Sequence, residues 1–148
     1  MSSGDFVIRS MLRDDLPKVI SIEQTCYPEP WSGETFFQGL TREEYKSFVC
    51  ELDREIIGYV IFWRGVREIH LLNLAILPDF QGRGFGTTLL DFVINFSPTE
   101  DYPTIILEVR TNNRAAISLY ESKGFERIGI REKYYSNGDD ALVMALHR

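Results

Sequence analysis

Apolar positions along the chain recur at two different periods, and the switches between them divide it into elements. "FVIRS" reads as a first strand. In "DDLPKVISIEQTCY" Leu16, Val19, Ile20 and Ile22 form one helical face, with Asp14 or Asp15 as cap and Pro17 in the first turn. "YPEPW" ends that run, and Ser32 caps a second short helix through Leu40. "KSFVCELDREIIGYVIFWRG" reads as a hairpin around an Asp53–Arg54 turn. "EIHLLNLAIL", bounded by Pro78, is the most continuously apolar segment and reads as a central strand covered on both faces.

The helical period returns after a glycine-rich stretch. Phe85, Leu89, Val93 and Phe96 recur on one face of a helix from Phe85 to Phe96. "TIILEVR" is again strand-like, and a helix from Arg114 to Lys123 is stopped by Gly124. "FERIGIREKYY" and "DALVMALHR" read as closing strands around "SNGDD". The order β-α-α-β-β-β-α-β-α-β-β predicts an α+β fold, a mixed sheet covered by helices rather than a regular βαβ alternation.

Composition narrows the setting. A chain of 148 residues with 44% hydrophobic and 26% charged residues is expected to form a single domain spanning residues 1–148. No apolar run approaches the ~18 residues of a membrane span. The opening "MSSGDFVIRS" lacks the basic flank and apolar core of a signal peptide, so a cytoplasmic protein is expected. Cys26 and Cys50 match no metal spacing and read as reduced thiols. His70 and His147 stand alone, and no metal site is expected. The net charge of −6 argues against general nucleic-acid binding and is compatible with a cationic substrate.

"LPDFQGRGFGTTLL" carries the first candidate chemistry. A glycine-rich turn feeding a helix N-terminus presents unpaired amides and the positive end of the helix dipole to an anion. The Walker A pattern is absent, because no Lys-Ser or Lys-Thr follows the last glycine. The dinucleotide fingerprint is absent too: Gly82, Gly84 and Gly86 give GxGxG, and the next strand ends in Val109–Arg110 without an acidic residue. From the glycines alone, a tight turn without a ligand stays as open as a phosphate site.

"Gln81-Gly82-Arg83-Gly84-Phe85-Gly86" fits Q/R-x-x-G-x-G/A, the pyrophosphate signature of the GCN5-related N-acetyltransferases. The chain resembles that family over nearly its whole length. "HLLNLAILPDFQGRGFG", "LEVRTNNRAAISLYESKGF" and "REKYY" look most like its RimI-type ribosomal-protein alanine N-acetyltransferases. The resemblance implies a central, mostly antiparallel sheet of about seven strands flanked by about four helices, with acetyl-CoA as cosubstrate. It places the splayed strand that binds the pantetheine arm on Leu74, Ala75 and Ile76, and the pyrophosphate on Gly82, Arg83, Gly84, Phe85, Gly86 and Thr87. Close relatives usually carry two basic residues before the second glycine, where this chain has Gly82-Arg83.

Glu108 interrupts the apolar "TIILEVR" and by alternation shares a face with Ile106 and Arg110. A carboxylate there is either a structural ion pair or a general base, since an attacking amine must lose its proton. The resemblance assigns it the proton-acceptor role. Tyr120 reads from pattern alone as a core aromatic; the resemblance makes it the proton donor to the departing CoA thiolate. Asn113, a helix cap by position, corresponds to a residue contacting the coenzyme. Trp31, Tyr134 and Tyr135 fall in segments that flank the peptide groove in the resembling enzymes, with packing aromatics in surface loops as the plainer alternative.

The expected function is direct acetyl transfer to a protein N-terminus, that of a small-subunit ribosomal protein beginning with alanine, by a monomer or weak dimer. The alternatives are another amine acceptor (a different N-terminus, a lysine, a polyamine or an antibiotic) or a CoA-binding sensor without turnover.

Overall fold

The computed structural model describes residues 4–148. Its strands are β1 (Phe6–Ser10), β2 (Tyr45–Leu52), β3 (Glu55–Arg64), β4 (Glu68–Ile76), β5 (Thr104–Arg110), β6 (Glu126–Arg131) and β7 (Ala141–His147). Its helices are α1 (Leu16–Cys26), α2 (Gly33–Thr41), α3 (Phe85–Phe96) and α4 (Arg114–Ser122). The strands form one seven-stranded sheet in the order β1-β2-β3-β4-β5-β7-β6. β4 and β5 pair in parallel and the other neighbours antiparallel, which is the mixed, mostly antiparallel sheet expected. Among the described residues, no helix is long and apolar enough to cross a membrane.

Side-chain alternation gives each face of the sheet its own core. Val19 and Ile22 of α1 and Phe36 of α2 pack on Val49, Tyr59, Ile61 and Ala75. Leu89, Leu90 and Val93 of α3 and Ile117 and Tyr120 of α4 pack on Val60, Phe62, Leu71, Leu107, Val109 and Met144 from the other side. The β2–β3 hairpin turns on Asp53 (φ 53°) and Arg54 (φ 69°), the two left-handed residues of a tight two-residue turn.

One cap and one boundary differ from those read in the sequence. The first helix starts at Leu16 with Asp15 at its N-cap position and Pro17 in its first turn, as expected, but a 3-10 turn at Arg13–Asp15 precedes it and the Asp15 carboxylate makes no cap hydrogen bond to it. Instead it accepts from the Leu12 amide at 2.7 Å and from both arms of Arg9. The arginine on the adjoining strand outcompetes the helix amides for this carboxylate. The strand "FERIGIREKYY" ends at Arg131, because Lys133 turns to φ 50° and its amide goes to Asp140 Oδ1 at 2.9 Å. Tyr134 and Tyr135 therefore stand in the β6–β7 loop, not in a strand.

Candidate active site

The site begins with an extra residue in β4. Phe62 pairs with Leu71 and Ile61 with Asn73, so Leu72 has no partner on β3 and forms a β-bulge. The parallel pairing of β4 with β5 stops there, its last pair being Leu71 and Leu107. Beyond it β4 stays with β3 through Ile76, while β5 stays with β7 through Arg110. The two central strands thus part, leaving one edge of β4 open for an extended ligand to pair with.

Two clefts occupy the gap. One of about 480 Å³ is lined by Leu74, Ala75, Ile76, Gly82, Gly84, Gly86, Thr87 and Asn113, among others. The other, of about 250 Å³, is lined by Glu108, Tyr120, Trp31 and Tyr135, among others. They meet along shared walls at Tyr27, Leu74, Asn113, Ala116 and Leu119.

The first cleft has the features of a phosphate cradle. Gly82 (φ 76°) and Gly84 (φ 89°) hold left-handed conformations that place the chain for α3, whose N-cap is Gly84. A Cβ on either would meet nothing within 4 Å, so open space lies against both backbones. The first-turn amides of α3 and its dipole face the same loop. Gln81 donates its side-chain amide to the Ile76 carbonyl at 2.8 Å, tying the loop to the end of β4. Arg83 and Phe85 flank the cleft rather than line it. The Arg83 guanidinium lies 5.4 Å from the Phe80 ring centroid and 5.3 Å from that of Phe85, which itself stacks on Phe6. Asn113 caps α4 through the Ala116 amide at 3.2 Å.

In the second cleft Glu108 and Tyr120 arrive from opposite faces of the sheet. Leu107 and Val109 point into the α3–α4 core that contains Tyr120, so Glu108 between them faces the α1–α2 side. Its carboxylate pairs with Arg131 Nε at 3.2 Å and keeps 23% of its side chain exposed. Tyr120 is buried, 5.7 Å from the Phe125 ring. Burial, and Tyr135 nearby, raise its phenol above the ordinary range, so it stays protonated throughout neutral pH.

The rim is braced by Arg110. Burial works against its charge, but hydrogen bonds with Glu29 (2.7 Å) and Asp139 (2.6 Å) outweigh that and hold it above its usual pKa. Its guanidinium also lies 3.9 Å from the Tyr135 ring centroid. Glu29, which takes Ser136 as well, is held below the usual carboxylate range. The α1–α2 loop and the β6–β7 loop are thereby joined over the cleft. Trp31 and Tyr135 line it, whereas Tyr134 is 48% exposed beyond it, edge-on to Tyr135 and beside Arg131.

The sequence reading missed several polar residues at this site. Glu23 and Asn73 are buried and hydrogen-bonded to each other at 2.8 Å in the cleft wall. Glu23 falls four residues after Val19 and one after Ile22, on the apolar face, which was the available signal. Tyr27 donates to the Leu74 carbonyl at the junction of the clefts, and burial raises its phenol.

Comparison with known proteins agrees with this geometry. The model of the acetyltransferase (GNAT) family matches residues 16–125. The chain is 42% identical over 135 residues to the [ribosomal protein bS18]-alanine N-acetyltransferase of Salmonella typhimurium, covering 89% of this chain and 90% of that one. It is 32% identical over 155 residues to an N-alpha-acetyltransferase of Saccharolobus solfataricus, covering 95% and 92%. The crystal structure of the Escherichia coli ribosomal-protein-S18-alanine N-acetyltransferase superposes with a TM-score of 0.88 at 37% identity, covering 97% of this chain and 94% of that one. The chain belongs to the acetyltransferase (GNAT) family.

Proposed function

We propose that this single-domain chain transfers the acetyl group of acetyl-CoA to a protein N-terminus, that of ribosomal protein bS18 beginning with alanine, in the cytoplasm. The observation that carries this reading is the meeting of the two clefts at Leu74, where β4 and β5 part. A nucleotide thioester and an amine can reach one point there from opposite ends. The likeness to bS18-alanine N-acetyltransferases over most of the chain supports the choice of amine.

The first cleft suits the coenzyme. The loop amides from Gly82 to Thr87 receive the pyrophosphate, and the open edge of β4 at Leu74–Ile76 pairs with the pantetheine arm as an added strand. Arg83 supplies positive charge beside the phosphates, and Asn113 contacts the coenzyme from the cap of α4. The Leu74 amide, on the open edge of β4, orients and polarises the thioester carbonyl.

Glu108, directly or through water, accepts the proton that the amine must lose to expose its lone pair. The amine then forms the new C–N bond as the C–S bond breaks. Tyr120, kept protonated by burial, donates to the departing sulfur. Transfer is direct, with both substrates bound at once and no covalent acyl-enzyme. Trp31 and Tyr135 wall the pocket around a short first side chain, with Tyr134 further out.

A panel of purified acceptors tests the choice of amine. Peptides differing only in their first residue, a lysine-containing peptide with a blocked N-terminus, and a polyamine are compared by kcat/KM. Preference for the alanine peptide supports the reading; preference for the lysine or the polyamine overturns it.

A further inference from the structure

The second cleft is walled by the carboxylates of Glu23, Glu29 and Glu108. Glu29 holds Arg110 at 2.7 Å and Glu108 holds Arg131 at 3.2 Å. Glu23 is the most deeply set, only 2% exposed, and among the described residues no cation pairs with it. Its partners are neutral donors. The Tyr59 hydroxyl and Asn73 Nδ2 (2.8 Å) reach Oε1, and the Trp31 amide (2.9 Å) reaches Oε2. A carboxylate has about four acceptor positions, so one on Oε2 remains. Buried carboxylates are ordinarily matched by a cation or a full set of donors, and this one is short of both.

The missing charge is one the chemistry delivers. Glu23 shares with Glu108 the α1–α2 side of the sheet and the wall of one cleft. Given the amine-acetylating reading above, on which this step rests, the acceptor enters that cleft as an ammonium ion. We propose that Glu23 is the counter-ion for the acceptor's α-ammonium group, binding it before Glu108 takes the proton. Two carboxylates then divide the work. Glu108, compensated by Arg131, handles the proton, and Glu23, compensated by nothing else, selects a cationic amine. The Trp31 amide on Glu23 also sets that ring against the first side chain, so charge and size are read at adjacent points.

The test is peptide binding to enzyme saturated with CoA, near pH 6.5, where an α-amino group of pKa about 8 is cationic. The probes are a peptide beginning with alanine and the same peptide with propanoyl in its place, which lacks only the amine. Wild-type enzyme is expected to prefer the amine by roughly tenfold to a hundredfold. Glu23→Gln should bring the two affinities together chiefly by weakening the alanine peptide, while Glu108→Gln keeps the preference. Equal weakening of both peptides by Glu23→Gln would show that Glu23 only positions the loop, and an unchanged ratio would show that it contributes no charge; either overturns the proposal. Should Glu23→Gln not fold, the other arms still decide: equal binding in wild type, or loss of preference in Glu108→Gln, overturns it. Failure of wild-type enzyme to acetylate the alanine peptide would instead remove the acceptor reading itself.

Discussion

Arg110 lies 3.9 Å from the centroid of the Tyr135 ring while its guanidinium also holds Glu29 and Asp139. One side chain on β5 thus sets the distance between the two loops that wall the smaller cleft. Arg110→Ala is expected to raise the peptide KM about tenfold, from the lost stacking and bridging, with coenzyme affinity unchanged. Arg110→Lys should rescue little, because an ammonium cannot replace the planar fork. Steady-state kinetics with each substrate varied in turn checks both; a selective rise in the acetyl-CoA KM would contradict this role.

Glu108→Gln is expected to lower kcat/KM for the peptide roughly a hundredfold to ten-thousandfold. The deficit should be greatest below the pKa of the amine and shrink above it, where the amine arrives already neutral. CoA binding by calorimetry should hardly change. Loss of CoA affinity would instead make the Glu108–Arg131 pair a structural strut.

Tyr120→Phe should slow transfer by about a hundredfold while leaving the thermal transition near its wild-type position. Burial raises this phenol, so the donor form persists beyond the pH of about 10 at which a free tyrosine titrates. The wild-type kcat profile is therefore expected to show no descending alkaline limb from Tyr120 below that pH. An unchanged rate in the variant would return Tyr120 to a packing role against Phe125.

Gly84→Ala forces a side chain to φ 89° at the N-cap of α3. The strain of about 1 kcal/mol should lower Tm by a few degrees. The new methyl group enters the open space against the loop, so CoA affinity should fall by more than stability does. Calorimetry and thermal melts on one sample separate the two effects.

Asp15 is held below the usual carboxylate range, first by Arg9 and also by the Leu12 amide. Because its folded pKa is depressed, the pair stabilises the fold above the unfolded pKa of about 3.9, and that contribution is lost as pH falls through the folded value. Asp15→Asn should cost about 1–3 kcal/mol at neutral pH, with the gap between variant and wild type closing in acid. Urea unfolding across pH would show it; a gap independent of pH would point to packing instead.

Much of this architecture was legible because periodicity depends on local sequence. The α3 limits at Phe85 and Phe96 and the alternation that sets Glu108 opposite Leu107 and Val109 follow from spacing alone. The positions of the candidate catalytic pair were legible through the motif, but not their approach from opposite faces. That depends on which core each side chain joins. The bulge at Leu72 was hidden, since a bulge exists only relative to a partner strand. Glu23 reads as one polar residue in an amphipathic helix until Tyr59, Asn73 and Trp31 converge on it from distant parts of the chain. Arg131 escaped for the same reason, because its partner Glu108 lies far away in sequence, and Tyr135 was named without its partner Arg110.

If the parting of β4 and β5 assembles a site for acetyl transfer to an N-terminal amine, the products show it. Purified enzyme, acetyl-CoA and the alanine peptide are incubated, and free thiol and acetylated N-terminus are quantified together. One thiol per acetylated N-terminus, with neither formed when the peptide is omitted, is the predicted result. Tight CoA binding with no thiol released by any amine offered would make the cleft a coenzyme-binding site without transfer.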